Sequence, residues 1–226
     1  IVFGKFLNCG QTCVAPDYIY CDPEIKEALV AELRRQITRQ YGKESLKNRN
    51  YGKIINEKHF NRIQNLIDPA KVICGGNARP ETLQIEPTVM DQVTFEDAVM
   101  QAEIFGPVMP VLTFDSIEEV IRKVNSMAHP LALYIFAQEK AICEKVTSEC
   151  GFGGGCINDV IIHLATSEMP FGGFGESGMG SYHGQKGFET FSHYKSIVDK
   201  KTWIDLPMRY QPYRRIYDKL IHIFLK

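Results

Sequence analysis

Two thiols flank three small or polar residues in Cys9-Gly10-Gln11-Thr12-Cys13, near the start of the 226-residue chain, and either could carry covalent chemistry. A glycine between them lets backbone amides turn toward one point, where they could stabilise a thiolate and later an oxyanion. Five further cysteines, Cys21, Cys74, Cys143, Cys150 and Cys156, lie in or beside apolar runs, where a free thiol packs as a small hydrophobe. An odd cysteine count without repeated spacing argues against a disulfide framework and for a reducing compartment. Metal is not expected, because zinc takes four ligands and no second C-x-x-C or H-x-x-x-H pair completes a set. No histidine neighbours Cys13 in sequence, so a Cys/His couple would have to be assembled in space. His183 and His193, in the glycine-rich C-terminal region, read first as surface or capping residues.

Gly173-Phe174-Gly175-Glu176-Ser177-Gly178 satisfies G-x-G-x-x-G, the pattern that cradles a dinucleotide pyrophosphate. That function needs a strand feeding the loop and a helix leaving it. A Ser-Glu-Met-Pro-Phe segment precedes these glycines and Gly178 and Gly180 follow, so a tight loop is the better reading.

The elements that must position the thiols follow from periodicity. The run from Thr12 to Cys21 reads as an apolar strand. From Glu24 to Tyr41, Ile25, Leu29, Leu33, Ile37 and Tyr41 recur every four positions, with Gly42 just beyond, which predicts a one-sided surface helix. A second helix is expected from Asn56 to Ile67 and a short buried strand at the Lys71–Gly76 run. Further strands are expected at Pro107–Phe114, Leu131–Ala137 and Gly153–Val160. A helix follows Ser116, whose spacing to Glu119 is that of a capping box, and another spans Gln138–Ser148. Strands alternating with helices predict an α/β fold, a doubly wound, mostly parallel sheet with helices on both faces.

Composition agrees with a globular protein: 44% hydrophobic residues, 23% charged, formal charge −1. A near-neutral, interspersed surface argues against nucleic acid or a polyanion as the main partner. No apolar run reaches the roughly 18 to 20 residues of a spanning helix. The start, lacking Met and the plan of a signal peptide, reads as cut from something longer.

Specific strings narrow this. Phe6-Leu7-Asn8-Cys9-Gly10-Gln11-Thr12-Cys13 resembles the F-x-N-x-G-Q-x-C signature of the aldehyde dehydrogenase superfamily, Glu103-Ile104-Phe105-Gly106-Pro107 its E-I-F-G-P string, and Pro170-Phe171-Gly172-Gly173 its P-F-G-G loop. The runs Gly178–Gly184, Phe188–His193 and Leu131–Tyr134 resemble the class 3 branch, which includes fatty and medium-chain aldehyde oxidisers. The resemblance covers residues 1–198 as a thiol-bearing catalytic domain. It implies that Cys13 is the nucleophile, that Glu103 holds the nicotinamide ribose hydroxyls of NAD or NADP, and that Phe105 lies against the nicotinamide ring. It also implies an aldehyde substrate, a cytoplasmic homodimer, and a substrate pocket to which Thr12, Leu164, Phe171 and His183 contribute. Asn158 is expected to support the catalytic loop by hydrogen bonds. One departure is Ala102, where many members carry a second acidic residue. The family's N-terminal dinucleotide-binding domain, oxyanion asparagine and water-activating glutamate precede the cysteine motif, so they are expected to be absent.

Two other readings compete. A cofactor-free thiol hydrolase or acyltransferase could pair Cys13 with His183 or His193, and a non-catalytic piece could serve assembly. The tail, residues 199–226, ends in a basic amphipathic stretch with Ile216, Leu220, Ile223 and Phe224 on one side. From Arg209 onward it has five basic residues against one acidic, which would suit peripheral membrane contact.

Overall fold

The computed structural model describes residues 1–224; Leu225, Lys226 and the side chain of Phe224, the last residue of the tail stripe read from sequence, lie outside the described residues. Two compact units are present, Ile1–Phe191 and Ser192–Lys226.

In the first unit a short helix α1 (Val2–Phe6) enters the cysteine loop and β1 (Ile19–Cys21) leaves it. The strand expected from Thr12 to Cys21 is confined to its last three residues. Thr12 to Ala15 closes a turn, the Ala15 N–H donating to the Thr12 carbonyl at 2.9 Å, and Pro16 has no N–H for a ladder. α2 (Lys26–Tyr41) buries Leu33 and Ile37 and half-buries Leu29 and Tyr41, while Ile25 lies before its first turn and stays exposed. α3 (Glu57–Gln64) starts at Asn56, whose side chain accepts the His59 N–H at 3.0 Å, and buries Phe60 and Ile63.

The strands β2 (Val72–Cys74), β3 (Ala78–Arg79), β4 (Gln84–Ile85), β5 (Thr88–Met90) and β6 (Val108–Thr113) follow. Their main sheet has the order β1-β6-β5-β2, with β6 parallel to both β1 and β5. β2 is an antiparallel edge and only half-buried, where a buried strand was expected. β3 and β4 form a small antiparallel ribbon.

Alternation along β6 assigns its two faces. Val108 and Leu112 join Ile54, Phe60, Ile63 and Ile104 in one core, whereas Met109 and Val111 join Val2, Phe6, Leu33 and Ile37 in another. The sheet therefore carries α3 on one face and α1 with α2 on the other, as a doubly wound sheet requires.

α4 (Ile117–Ser126) is capped by Ser116, which accepts the Glu119 N–H at 3.2 Å. The return half of the box goes one residue further out: the Glu119 carboxylate accepts from the Asp115 N–H and from the Tyr20 hydroxyl. β7 (Ala132–Ile135), α5 (Lys140–Glu149) and β8 (Gly154–Ile157) complete a second parallel pair, β7 against β8. Leu133 and Ile135 face α4 and α5, while Ala132 and Tyr134 face Val14 beside Cys13. The α/β, mostly parallel reading holds, with the parallel strands divided between two sheets. α6 (Gly184–Thr190) closes the unit.

The second unit is irregular up to α7 (Arg215–Phe224), on which Ile216, Leu220 and Ile223 are exposed. Among the described residues no helix is long and apolar enough to cross a membrane.

Candidate active site

Cys13 is exposed on a turn that follows three consecutive left-handed residues, Asn8, Cys9 and Gly10, at φ 51, 54 and 73. Such backbone costs a non-glycine residue about 1–2 kcal/mol, and side chains of the same motif offset it. Gln11 Nε2 donates to the Asn8 and Lys53 carbonyls at 3.1 and 3.0 Å, and its Oε1 accepts the Ile55 N–H at 3.0 Å. Asn8 Nδ2 returns a bond to the Gln11 carbonyl at 3.0 Å. A Cβ on Gly10 would lie 2.2 Å from the Gly106 carbonyl oxygen, so only glycine lets the thiol loop close on the Glu103–Pro107 string.

That string has its own supports. Arg62 of α3 donates to the carbonyls of Glu103 at 3.4 Å and Ile104 at 2.5 Å, and the Asp17 carboxylate accepts the Ile104 N–H at 3.0 Å. Lys5 Nζ donates to the Asp17 carbonyl at 3.2 Å. Residues 90 positions apart in sequence thus share one scaffold. On its surface stand the Cys13 thiol, the exposed Glu103 side chain, and Phe105, held at φ 46 with 39% of its surface open.

The two cysteines of the loop separate sharply. Cys9 is buried in the core with Tyr51, and burial pushes its thiol up to about 11. A thiol kept protonated is a poor nucleophile, which leaves Cys13 as the accessible one.

Beneath the loop, Lys5 is 1% exposed, and burial lowers its ammonium to about 8 against the opposing pull of Asp17 and Glu103. Glu103 is raised, first by desolvation and then by Asp17, with Arg62 and Lys5 opposing. The unfolded lysine keeps its proton to 10.5, so between pH 8 and 10.5 the unfolded chain binds more protons and stability rises with pH. Below pH 8 the cost of the buried charge is constant. We therefore expect wild type to gain about 3 kcal/mol relative to Lys5→Met between pH 8 and 10.5. Urea unfolding of both proteins across this range checks it; parallel curves would remove Lys5 from the buried scaffold.

The other expected site residues distribute around Val14. Val14 is buried with Val160 and Ile161, and Leu164, Phe171 and Tyr134 pack against this group. The Tyr134 hydroxyl donates to the Val14 carbonyl at 2.7 Å, tying β7 to the residue after Cys13. Thr12 is half-buried in the turn, and His183 stacks on Phe171 with ring centroids 5.9 Å apart. His183 Nδ1 is buried without a hydrogen-bond partner, so His183 forms no couple with Cys13 through that nitrogen. Asn158 departs from its expected role: both its side-chain bonds, at 3.0 Å, go to the Ala137 backbone and extend the β7–β8 pairing rather than the thiol loop.

The G-x-G-x-x-G segment is a short turn at Gly175–Ser177, and the next helix, α6, opens only at Gly184. Among the described residues no set of three His, Cys, Asp or Glu is grouped to hold a metal. Sequence reasoning missed Lys5, Asp17 and Arg62. A single lysine inside the apolar run Ile1–Phe6 was the one signal available for any of them.

Residues 1–197 match the profile of the Aldehyde dehydrogenase family. The 4,4'-diaponeurosporen-aldehyde dehydrogenase of Staphylococcus aureus is 42% identical over 100% of this chain and 50% of its own length. The dimeric NADP-preferring aldehyde dehydrogenase of Rattus norvegicus is 48% identical over 88% of this chain and 44% of its own. The solved structure of Staphylococcus aureus AldH in a substrate-bound state superposes with a TM-score of 0.92 at 41% identity, covering 99% of this chain and 49% of that one. The chain spans about half the length of these relatives.

Proposed function

Because the chain belongs to the aldehyde dehydrogenase family, we propose that it forms the thiol-bearing catalytic part of an enzyme that oxidises aldehydes to carboxylic acids with NAD or NADP. One observation carries this reading: an exposed Cys13 loop is locked, through Gly10 on Gly106, to the string that bears Glu103 and Phe105.

Cys13 is the nucleophile. Its sulfur takes the carbonyl carbon, holds it as a thiohemiacetal, and keeps the acyl group as a thioester until water releases the acid. Glu103 and Phe105 fit the nicotinamide riboside end of the cofactor, one as acceptor for paired ribose hydroxyls and the other as an open aromatic face. When bound there, the nicotinamide ring supplies the acceptor for the aldehyde hydrogen as hydride. Thr12, Leu164, Phe171 and His183 line the aldehyde pocket, and Asn158 stiffens the strand pair behind it. The whole protein works as a cytoplasmic homodimer, a reading supported by the relative named as dimeric. The exposed apolar stripe of α7 beside its basic residues supports peripheral membrane contact.

An activated ester tests the nucleophile without any cofactor. We expect p-nitrophenyl acetate to release one p-nitrophenolate per chain in a burst and to leave one acetyl group on the Cys13 peptide, both lost in Cys13→Ala. Rapid multiple turnover would favour the thiol hydrolase, and acetylation of another cysteine would reject Cys13.

A further inference from the structure

β8 carries a second thiol in contact with an imidazole. Cys156 Sγ lies 3.6 Å from His163 Nδ1, and Cys156 is only partly buried. His163 is 8% exposed, and its Nε2 is buried with no hydrogen-bond partner. A histidine kept for structure normally has both nitrogens satisfied; this one has Nε2 unpartnered and Nδ1 against the thiol. Space is made for it, since a Cβ on Gly154 would come within 3.0 Å of the imidazole Cδ2. Cys156 is the direct cross-strand partner of Tyr134, whose ring lies 5.9 Å from the His163 ring.

We propose that Cys156 and His163 form a second reactive site, distinct from Cys13, that adds α,β-unsaturated carbonyl compounds covalently. Sγ bonds to the β-carbon as the C=C π pair moves to the α-carbon and its conjugated oxygen. The thiol proton passes to His163 Nδ1 and from there to the α-carbon. One S–H bond and one C=C π bond break, one S–C and one C–H bond form, and no electrons enter or leave. Burial holds His163 below its ordinary value, so at neutral pH the imidazole is free to accept that proton.

The test treats the full chain with trans-2-hexenal, reduces the adducts with borohydride and reads each cysteine by mass spectrometry. We expect Cys156 to react at least about tenfold faster than Cys74, the other partly buried free thiol, in keeping with general-base assistance. His163→Gln should abolish that advantage and leave the rate at Cys13 unchanged. A rate at Cys156 equal to that at Cys74, or unaffected by His163→Gln, overturns the proposal. Should that variant fold poorly, the wild-type pH profile decides. Assistance by a neutral imidazole gives a nearly flat rate at Cys156 from pH 6.5 to 8, and an unassisted thiol gives a tenfold rise per unit, which would overturn it.

Discussion

Cys13→Ala should lower aldehyde dehydrogenase turnover by roughly ten-thousandfold or more in the protein that contains this chain, because removing a covalent nucleophile removes the reaction path itself. Cys9→Ala should keep most of the activity. The two thiols are four residues apart, yet their surroundings are opposite. Cys13 is exposed on the turn. Cys9 is 2% exposed, in a left-handed position, with its sulfur among Tyr51, Ile54 and neighbouring core residues. Losing that sulfur costs packing, about 1 kcal/mol of stability, and leaves the Gln11 and Asn8 bonds that hold the loop. Steady-state rates of the two variants, with thermal melts alongside, check both halves. An essential Cys9 and a replaceable Cys13 would reverse the assignment.

What could be read from sequence was whatever depends on neighbours close along the chain. The stripe Leu29, Leu33, Ile37 and Tyr41 became the inner face of α2, and Ser116 became a helix cap, because helix geometry sets both relations within four residues. The strand expected from Thr12 was shortened by forces that local pattern does not carry. Asp17 gives its carboxylate to the Ile104 N–H, 87 residues away, and Lys5 reaches the Asp17 carbonyl from α1. The lock between Gly10 and Gly106 is likewise invisible as periodicity. Strings resembling a known family marked Cys13, Glu103 and Phe105 for one reaction, but nothing in the sequence joined Gly10 to Gly106. Asn158 shows the limit of that route: its place in a motif marked it as a support, and the structure attaches it to Ala137 rather than to the thiol loop.

Prepared as these 226 residues, the chain should reduce neither NAD nor NADP with a medium-chain aldehyde, although Cys13, Glu103 and Phe105 are all present. The relatives named as dehydrogenases are about twice its length. Within the described residues Glu103 and Phe105 suit one end of a dinucleotide, but the single glycine pattern that could hold its pyrophosphate is a turn with no helix behind it until Gly184. A nicotinamide held at one end loses positioning that can amount to roughly 7 to 11 kcal/mol of barrier. Deacylation without a placed general base loses about a further hundred- to ten-thousandfold. Alkylation needs neither, since iodoacetamide meets an exposed thiol directly, so labelling of Cys13 and turnover should separate in the same sample. Absorbance at 340 nm and peptide mass spectrometry read the two together. Cofactor reduction that disappears in Cys13→Ala would show that the chain itself holds the dinucleotide, and an unlabelled Cys13 would show that its turn closes over the sulfur.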